Sequence, residues 1–93
     1  MAVRFSWDPF KAAGNLRKHG VSFREAMTAF EDTLSVTVAD PDHSTEEMRF
    51  ILIGVSVWQR LLVVSHADYG DEIRIIGARV ASRRERRQYE EDV

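Results

Sequence analysis

The residues best suited to chemistry are a histidine and two arginines on consecutive segments, His66, Arg74 and Arg79. Histidine is the usual proton donor or acceptor at neutral pH, although tyrosine or lysine can serve in its place. Arginine presents a planar fork of N–H donors that fits phosphate oxygens. Such a set suits metal-free cleavage of RNA: a base takes the 2′-hydroxyl proton, arginine stabilises the phosphate charge, and an acid protonates the leaving oxygen. The same residues are compatible with a strand-end histidine and two surface charges that have no catalytic role.

Whether these side chains meet depends on how the two strands that carry them pair. Directly opposed residues of an antiparallel pair lie on the same face of the sheet. A loop with an even number of residues between the strands therefore puts His66 on the same face as Arg79, and a loop with an odd number puts it on the same face as Arg74. A bulge at Gly77 would change the parity and bring both arginines to one side. The sequence leaves these alternatives open.

Two helices are predicted near the amino terminus. Asp8 and Pro9 supply an N-cap oxygen and a proline at the first helical position, and Gly20 ends this helix after about His19. We expect it to bury Phe10, Ala13 and Leu16 and to expose Lys11, Asn15 and Lys18. The second helix begins at the capping box of Ser22 and Glu25 and stops near Asp32. Its buried face is expected to contain Phe23, Ala26, Met27 and Phe30.

The rest of the chain has the period-two pattern of strands. Alternating apolar residues indicate a brief first strand over 3–7 and further strands over 34–38, 49–57, 61–66 and 73–78. Ser82 and Glu85 form a second capping box, so residues 82–93 should form a polar last helix that only Tyr89 can anchor. We therefore predict one α+β domain over residues 1–93, with two N-terminal helices packed on an antiparallel meander of about four strands and a C-terminal helix.

Length and composition exclude several classes of protein. The chain has 93 residues, 44% of them hydrophobic and 30% charged, which is ordinary for one globular domain. Its longest run without charge is about ten residues, too short to span a membrane, and no signal peptide is visible, so we expect a cytoplasmic protein. The net charge of −2 argues against a binder of bulk nucleic acid. Of the 13 basic residues, however, only Lys11 and Lys18 are lysine, and the arginine excess suits local phosphate or carboxylate contacts.

No motif for a metal or a cofactor is recognisable. The acidic loop with Asp40, Asp42, His43, Glu46 and Glu47 has Thr45 and Ile51 where a calcium loop needs glycine and a bidentate glutamate. There is no nucleophile elbow and no glycine-rich phosphate loop. We therefore expect neither metal nor cofactor. Trp7 and Trp58 could stack on bases, although Trp7 is placed like a core residue.

Two longer motifs carry a resemblance to a known family. The first, F-x-W-D-x-x-K-x-x-x-N-x-x-K-H-G-V-S-F, covers residues 5–23, and the second, R-I-I-x-A-R, covers residues 74–79. With the segments around them, they make nearly the whole chain resemble the BrnT toxins of bacterial type II toxin–antitoxin systems.

The resemblance implies a RelE-like α+β ribonuclease that blocks translation and growth, and a BrnA-like antitoxin partner in a hetero-oligomer that contacts DNA only through the antitoxin. Carried onto this chain, it implies His66 as acid or base and Arg74 and Arg79 at the scissile phosphate. The motif positions expected to contact the RNA backbone are Lys18, His19 and Arg49. Gly77 stands where the family pattern leads us to expect a small hydroxyl residue such as serine.

Two other functions fit the same sequence. One is a catalytically inactive toxin homologue that acts as a protein-binding corepressor with its antitoxin. The other is direct DNA binding through the arginines of residues 82–92, which Glu85, Glu90, Glu91 and Asp92 offset in charge. A solvent-open cleft shared by His66 and the two arginines would favour the ribonuclease.

Overall fold

The computed structural model describes residues 3–40, 42 and 48–91, and it has the α+β class expected from the sequence. The elements in chain order are β1 (Arg4–Ser6), α1 (Pro9–His19), α2 (Phe23–Thr28), a 3-10 turn (Ala29–Glu31), β2 (Val36–Ala39), β3 (Arg49–Val55), β4 (Leu61–Tyr69), β5 (Glu72–Val80) and α3 (Arg83–Glu91). In the described part of the chain, no helix has the length and apolar character needed to cross a membrane.

Short-range capping signals set the helix starts and the end of α1 as predicted, whereas α2 ends at Thr28 and the 3-10 turn, not the α-helix, reaches the predicted end near Asp32. The Asp8 carboxylate accepts a hydrogen bond from the Phe10 N–H at 2.8 Å, and Gly20 ends α1 with a left-handed φ of 69°. The Ser22 hydroxyl caps α2 by accepting from the Glu25 N–H at 3.0 Å. At α3, the Ser82 hydroxyl accepts from the Glu85 N–H, and the Glu85 carboxylate accepts from the Ser82 N–H.

The sheet has five strands in the order β1-β5-β4-β3-β2. Strands β2 to β5 form the predicted antiparallel meander of four, but β1 is an additional member that pairs in parallel with β5. The expectation of an all-antiparallel sheet is thus corrected to a mixed one. Parallel neighbours cannot be joined by a hairpin, and here the helices and the meander return the chain to β1.

The hydrophobic core lies on one face of this sheet, under α2 and the 3-10 turn. Its buried residues include Phe23 and Ala26 from α2, and Leu62, Val64 and Ile75 from the sheet. Helix α1 contributes no buried residue, and Phe10 and Leu16 are 88% and 51% exposed, so the predicted burial of its apolar side is wrong. Instead, α1 contacts the core with the small side chain of Ala12 and docks on β5 through the polar side chain of Asn15.

A β-bulge divides the hairpin between β4 and β5. The two-residue turn Gly70-Asp71 pairs Tyr69 with Glu72, and this register continues up to His66, which pairs with Ile75. The next pair is Ser65 with Gly77, so Ile76 has no partner on β4. Beyond this point every residue of β5 lies on the opposite face from the one that the turn alone would dictate.

Candidate functional site

Three arginines lie on the sheet face opposite the core, which we call the arginine face. Arg49 on β3 and Arg74 on β5 both pair with Ala67 of β4, and Arg79 pairs with Val63. Ala67 and Val63 are four residues apart on one strand and therefore point to the same side. The register thus brings together Arg49, Arg74 and Arg79, all of which were predicted from the sequence to contact RNA.

Small residues form the floor between these arginines. Ser65 pairs with Gly77 in the middle of the face, and Ala67 lies between Arg49 and Arg74. From the spacing of strands, the backbones of Arg49 and Arg74 are about 10 Å apart. Arg79 lies about 13 Å farther along the sheet, from the rise of four strand residues. A shallow surface rimmed by three guanidinium groups suits the phosphates of a single-stranded nucleic acid.

Arg79 already binds a carboxylate. Its two terminal nitrogens donate to the two oxygens of Glu85 at 2.7 and 2.8 Å, the fork geometry in which guanidinium also binds phosphate. These hydrogen bonds lower the pKa of Glu85 to about 2. Glu85 belongs to the first turn of α3, whose far end is fixed by a hydrogen bond from the Tyr89 hydroxyl to Asp32 at 2.6 Å. The sequence had indicated Tyr89 as the anchor of α3.

His66 lies on the other side of the sheet, with the core. It is only 5% exposed, and its ring lies 4.9 Å from that of Phe30 and 5.8 Å from that of Phe50, centroid to centroid. Burial lowers the pKa of His66, against the opposing effect of the Val64 backbone. Among the described residues, no group lies in hydrogen-bond geometry with its Nδ1 atom. Of the predicted catalytic set, Arg74 and Arg79 share one face of the sheet, whereas His66 lies on the other.

Lys18 and His19 occupy the exposed last turn of α1. This helix is held at the edge of β5 by Asn15, whose amide nitrogen donates to the Ala78 carbonyl at 2.7 Å and to the Val21 carbonyl at 2.9 Å. The amide oxygen accepts from the Ala78 N–H at 3.1 Å. The pairing of β1 with β5 ends at Arg74, so β1 does not reach Ala78. Asn15 thereby makes the backbone hydrogen bonds to Ala78 that a neighbouring strand would otherwise make. Lys18 lies one helical turn from this contact, so it is close to the end of β5 that carries Arg79.

A buried ion pair behind the site was not foreseen. Glu25 is fully buried, and it accepts hydrogen bonds from the Arg60 guanidinium and from the Ser56 hydroxyl. The bonds from Arg60 lower the pKa of Glu25. Arg60 also donates to the Gly20 carbonyl at 3.0 Å, so one side chain ties the β3–β4 turn to both N-terminal helices. The only sequence signal was Glu25 itself, which reads as an ordinary capping-box residue.

The acidic loop lies partly outside the described residues, since these include Asp40 and Asp42 but not His43, Glu46 or Glu47. Within residues 3–40, 42 and 48–91, no three His, Asp or Glu side chains are grouped as metal ligands would be. Trp58 is 65% exposed in its turn, whereas Trp7 packs against the core.

Comparison with known proteins identifies a family and a similar solved structure. Residues 7–85 match the model of a family described as the ribonuclease toxin BrnT of type II toxin–antitoxin systems. The crystal structure of the Brucella abortus ribonuclease toxin BrnT superposes with a TM-score of 0.66 at 25% sequence identity, covering 88% of this chain and 100% of that one. No curated protein matches the sequence.

Proposed function

Because the chain belongs to the BrnT family of ribonuclease toxins of type II toxin–antitoxin systems, we propose that it is an endoribonuclease that cuts RNA without a metal ion. Cleavage would stop translation and growth in the cytoplasm. A BrnA-like antitoxin would neutralise the toxin in a hetero-oligomer and would supply any contact with DNA.

The arginine face is the observation that carries this proposal. Arg74 and Arg79 would hold the scissile phosphate while the 2′-oxygen attacks phosphorus, its proton passes to a base, and the 5′-oxygen leaves with a proton from an acid. Fixed guanidinium groups stabilise the charge that gathers on the phosphate oxygens in this step. Arg49, Lys18 and His19 would contact the RNA backbone to either side. Because the chain has a net charge of −2, RNA binding would depend on these few contacts and would weaken as salt is added.

The position of His66 is unfavourable for a proton carrier at the arginine face. A catalytic His66 would have to leave the rings of Phe30 and Phe50 and reach the opposite face of the sheet. Its buried, neutral state favours a role in the core. Substitution of His66 by phenylalanine separates the two roles, because a core residue can be replaced by an apolar ring of similar size and a proton carrier cannot.

The test is cleavage of RNA by the purified, folded protein in the presence of EDTA, together with growth arrest on induction. Arg74→Ala and Arg79→Ala should each reduce the cleavage rate by about a hundredfold or more, the usual cost of removing one fixed donor to a transition-state anion. Arg24→Ala, an exposed arginine on α2, is the matched control and should cleave at the wild-type rate. Unchanged cleavage by both arginine-face variants would overturn the proposed site.

The contact between Arg79 and Glu85 gives specific support to a second function, a toxin homologue that is inactive and acts only as a corepressor with its antitoxin. In that case the carboxylate of Glu85 would hold the fork of Arg79 permanently. Normal growth with soluble, folded protein, and no cleavage by Glu85→Gln, would favour this function.

A further inference from the structure

Strand β2 is the outermost strand on one side of the sheet, and within residues 3–40, 42 and 48–91 no further strand covers its edge. In the described part of the chain it pairs with β3 alone. Its sequence, VTVA, contains no charged residue and no proline, and its pairing with β3 has no bulge. Proteins normally place lysine, proline or a bulge on such edges, because an unprotected edge pairs with other chains.

The hydrogen-bond pattern shows which backbone groups face outward. The Asp40 N–H donates to the Arg49 carbonyl at 2.9 Å, so these two residues form a hydrogen-bonded pair. In an antiparallel ladder such pairs alternate, so Val36 and Val38 also bond inward to β3. Thr37 and Ala39 therefore direct their N–H and C=O groups away from the sheet. This is the donor and acceptor pattern that one added antiparallel strand would satisfy.

The side chains at this edge extend the arginine face with an apolar strip. Val36 and Val38 pair with Ile53 and Ile51, which lie on the same face as Arg49. Val38 is 52% exposed, and the other three side chains are half-buried. A strand added beside β2 could therefore pack alternate apolar side chains here, directly next to the proposed RNA site.

The charges around β2 indicate the kind of occupant. Glu31 and Asp32 precede the strand, and Asp40 and Asp42 follow it. Arg49 lies opposite Asp40 and offsets one of these charges, so both ends of β2 remain net negative. If two copies paired antiparallel through β2, the acidic residues before β2 of one copy would lie beside those after β2 of the other. If they paired in parallel, each acidic pair would lie beside the same pair of the other copy. Like charges held together in this way disfavour a second copy. They favour a partner segment with lysine or arginine at both ends.

From this edge we propose that β2 is the docking site for an extended segment of the antitoxin, which adds a sixth strand to the sheet. The segment would carry apolar residues at alternate positions between basic ends. This inference rests on the proposed function, because that function supplies an antitoxin as the partner. An antitoxin chain that leaves the added strand over Val38 and Ile51 would lie across the arginine face and exclude RNA from it.

Hydrogen exchange of the full-length protein, with and without the antitoxin encoded beside it, tests the added strand directly. In the free protein the amides of Thr37 and Ala39 should exchange rapidly, while those of Val36 and Val38 are protected by β3. Antitoxin should protect Thr37 and Ala39. Unchanged exchange at these two amides in the complex would overturn the proposal. Protection that grows with protein concentration in the absence of antitoxin would overturn it in favour of a second copy.

Proline substitution provides a matched pair of variants. Thr37→Pro removes an outward N–H without touching the ladder to β3, and it should weaken antitoxin binding about tenfold or more. Thr33→Pro is the matched control in the turn before β2. The Ser35 N–H donates to the Asp32 carbonyl, so Thr33 is the second residue of a four-residue turn, a position that accepts proline well. This variant should bind antitoxin with unchanged affinity. Circular dichroism establishes that both variants are folded.

The same experiment separates this inference from the proposed function. Folded Thr37→Pro should cleave RNA at the wild-type rate and should no longer be neutralised by antitoxin. Wild-type affinity for antitoxin in folded Thr37→Pro would overturn the docking site and leave the ribonuclease proposal standing. If wild-type protein cleaves no RNA but Thr37→Pro still loses antitoxin, the docking site stands and the ribonuclease proposal fails.

Discussion

Replacing Asn15 by alanine should destabilise the protein far more than its position on an exposed helix suggests. Its amide makes three hydrogen bonds, to the Val21 carbonyl and to both backbone groups of Ala78. Each is worth about 1 kcal/mol to the free energy of unfolding. The better helix propensity of alanine returns roughly 0.5 kcal/mol. The expected loss is therefore about 2 to 3 kcal/mol, or about 10 to 20 °C in Tm for a domain of this length.

Urea denaturation followed by circular dichroism measures this loss. Lys11→Ala is the matched control, since Lys11 lies one turn earlier on the same stripe of α1, is exposed, and should change stability by less than about 0.5 kcal/mol. Asn15→Asp retains the acceptor for the Ala78 N–H but faces two carbonyl oxygens with a carboxylate. It should therefore be less stable than Asn15→Ala at pH 7 and should recover below about pH 4, where the protonated carboxyl can donate. Equal stability of Asn15→Ala and Lys11→Ala would refute the view that Asn15 substitutes for a strand neighbour.

Three further predictions concern the core and the centre of the sheet. Arg60→Ala leaves the Glu25 carboxylate without its cation and should cost about 1 to 3 kcal/mol of stability in urea, less than for a fully buried pair because the Arg60 side chain is 38% exposed. The exposed Arg24→Ala should cost almost nothing. Because burial lowers the pKa of His66, the unfolded chain binds a proton that the folded chain does not, so stability should fall by up to about 1.4 kcal/mol per pH unit below pH 6.5 and stay level above it. In urea titrations at pH 5 to 8, the free energy of unfolding of His66→Phe should no longer depend on pH in this way. The variant should still cleave RNA. Loss of cleavage in the folded variant would instead make His66 catalytic. Among the described residues, a Cβ at Gly77 would meet the Asn15 Oδ1 at 3.8 Å, an ordinary contact distance. Gly77→Ser should therefore keep or raise the free energy of unfolding, by up to about 1 kcal/mol, and a lower free energy of unfolding in urea would contradict this.

The sequence predicted most reliably those features that depend on residues a few positions apart. The caps at Asp8, Ser22 and Ser82 and the left-handed Gly20 are of this kind, because a cap bonds to an N–H two or three residues away. Anchoring of α3 by Tyr89 was also predictable, since no other large apolar side chain is available on that helix. The family motifs added the set of arginines.

The features that failed or were missed depend on distant parts of the chain. Phe10 and Leu16 have helical spacing, but whether that side of α1 is buried depends on what packs against it. Here the docking partner is the backbone of Ala78, 63 residues beyond Asn15, and no periodicity reports such a contact. The parallel pairing of β1 with β5 is missed for the same reason, since pattern identifies a strand but not its neighbour.

The position of the arginines depends on a single residue of β5. Arg74 and Arg79 are five residues apart, and in a regular strand an odd separation places two side chains on opposite faces. With the register set by the Gly70-Asp71 turn alone, Arg79 would lie opposite Leu62 and face the core. Ile76, the unpaired residue of the bulge, moves Arg79 opposite Val63 and onto the arginine face, while Ile75 remains buried. The motif R-I-I-x-A-R thus places both arginines on one face only together with a bulge. Without the bulge Arg79 would be turned toward the core, where an unpaired guanidinium would cost several kcal/mol.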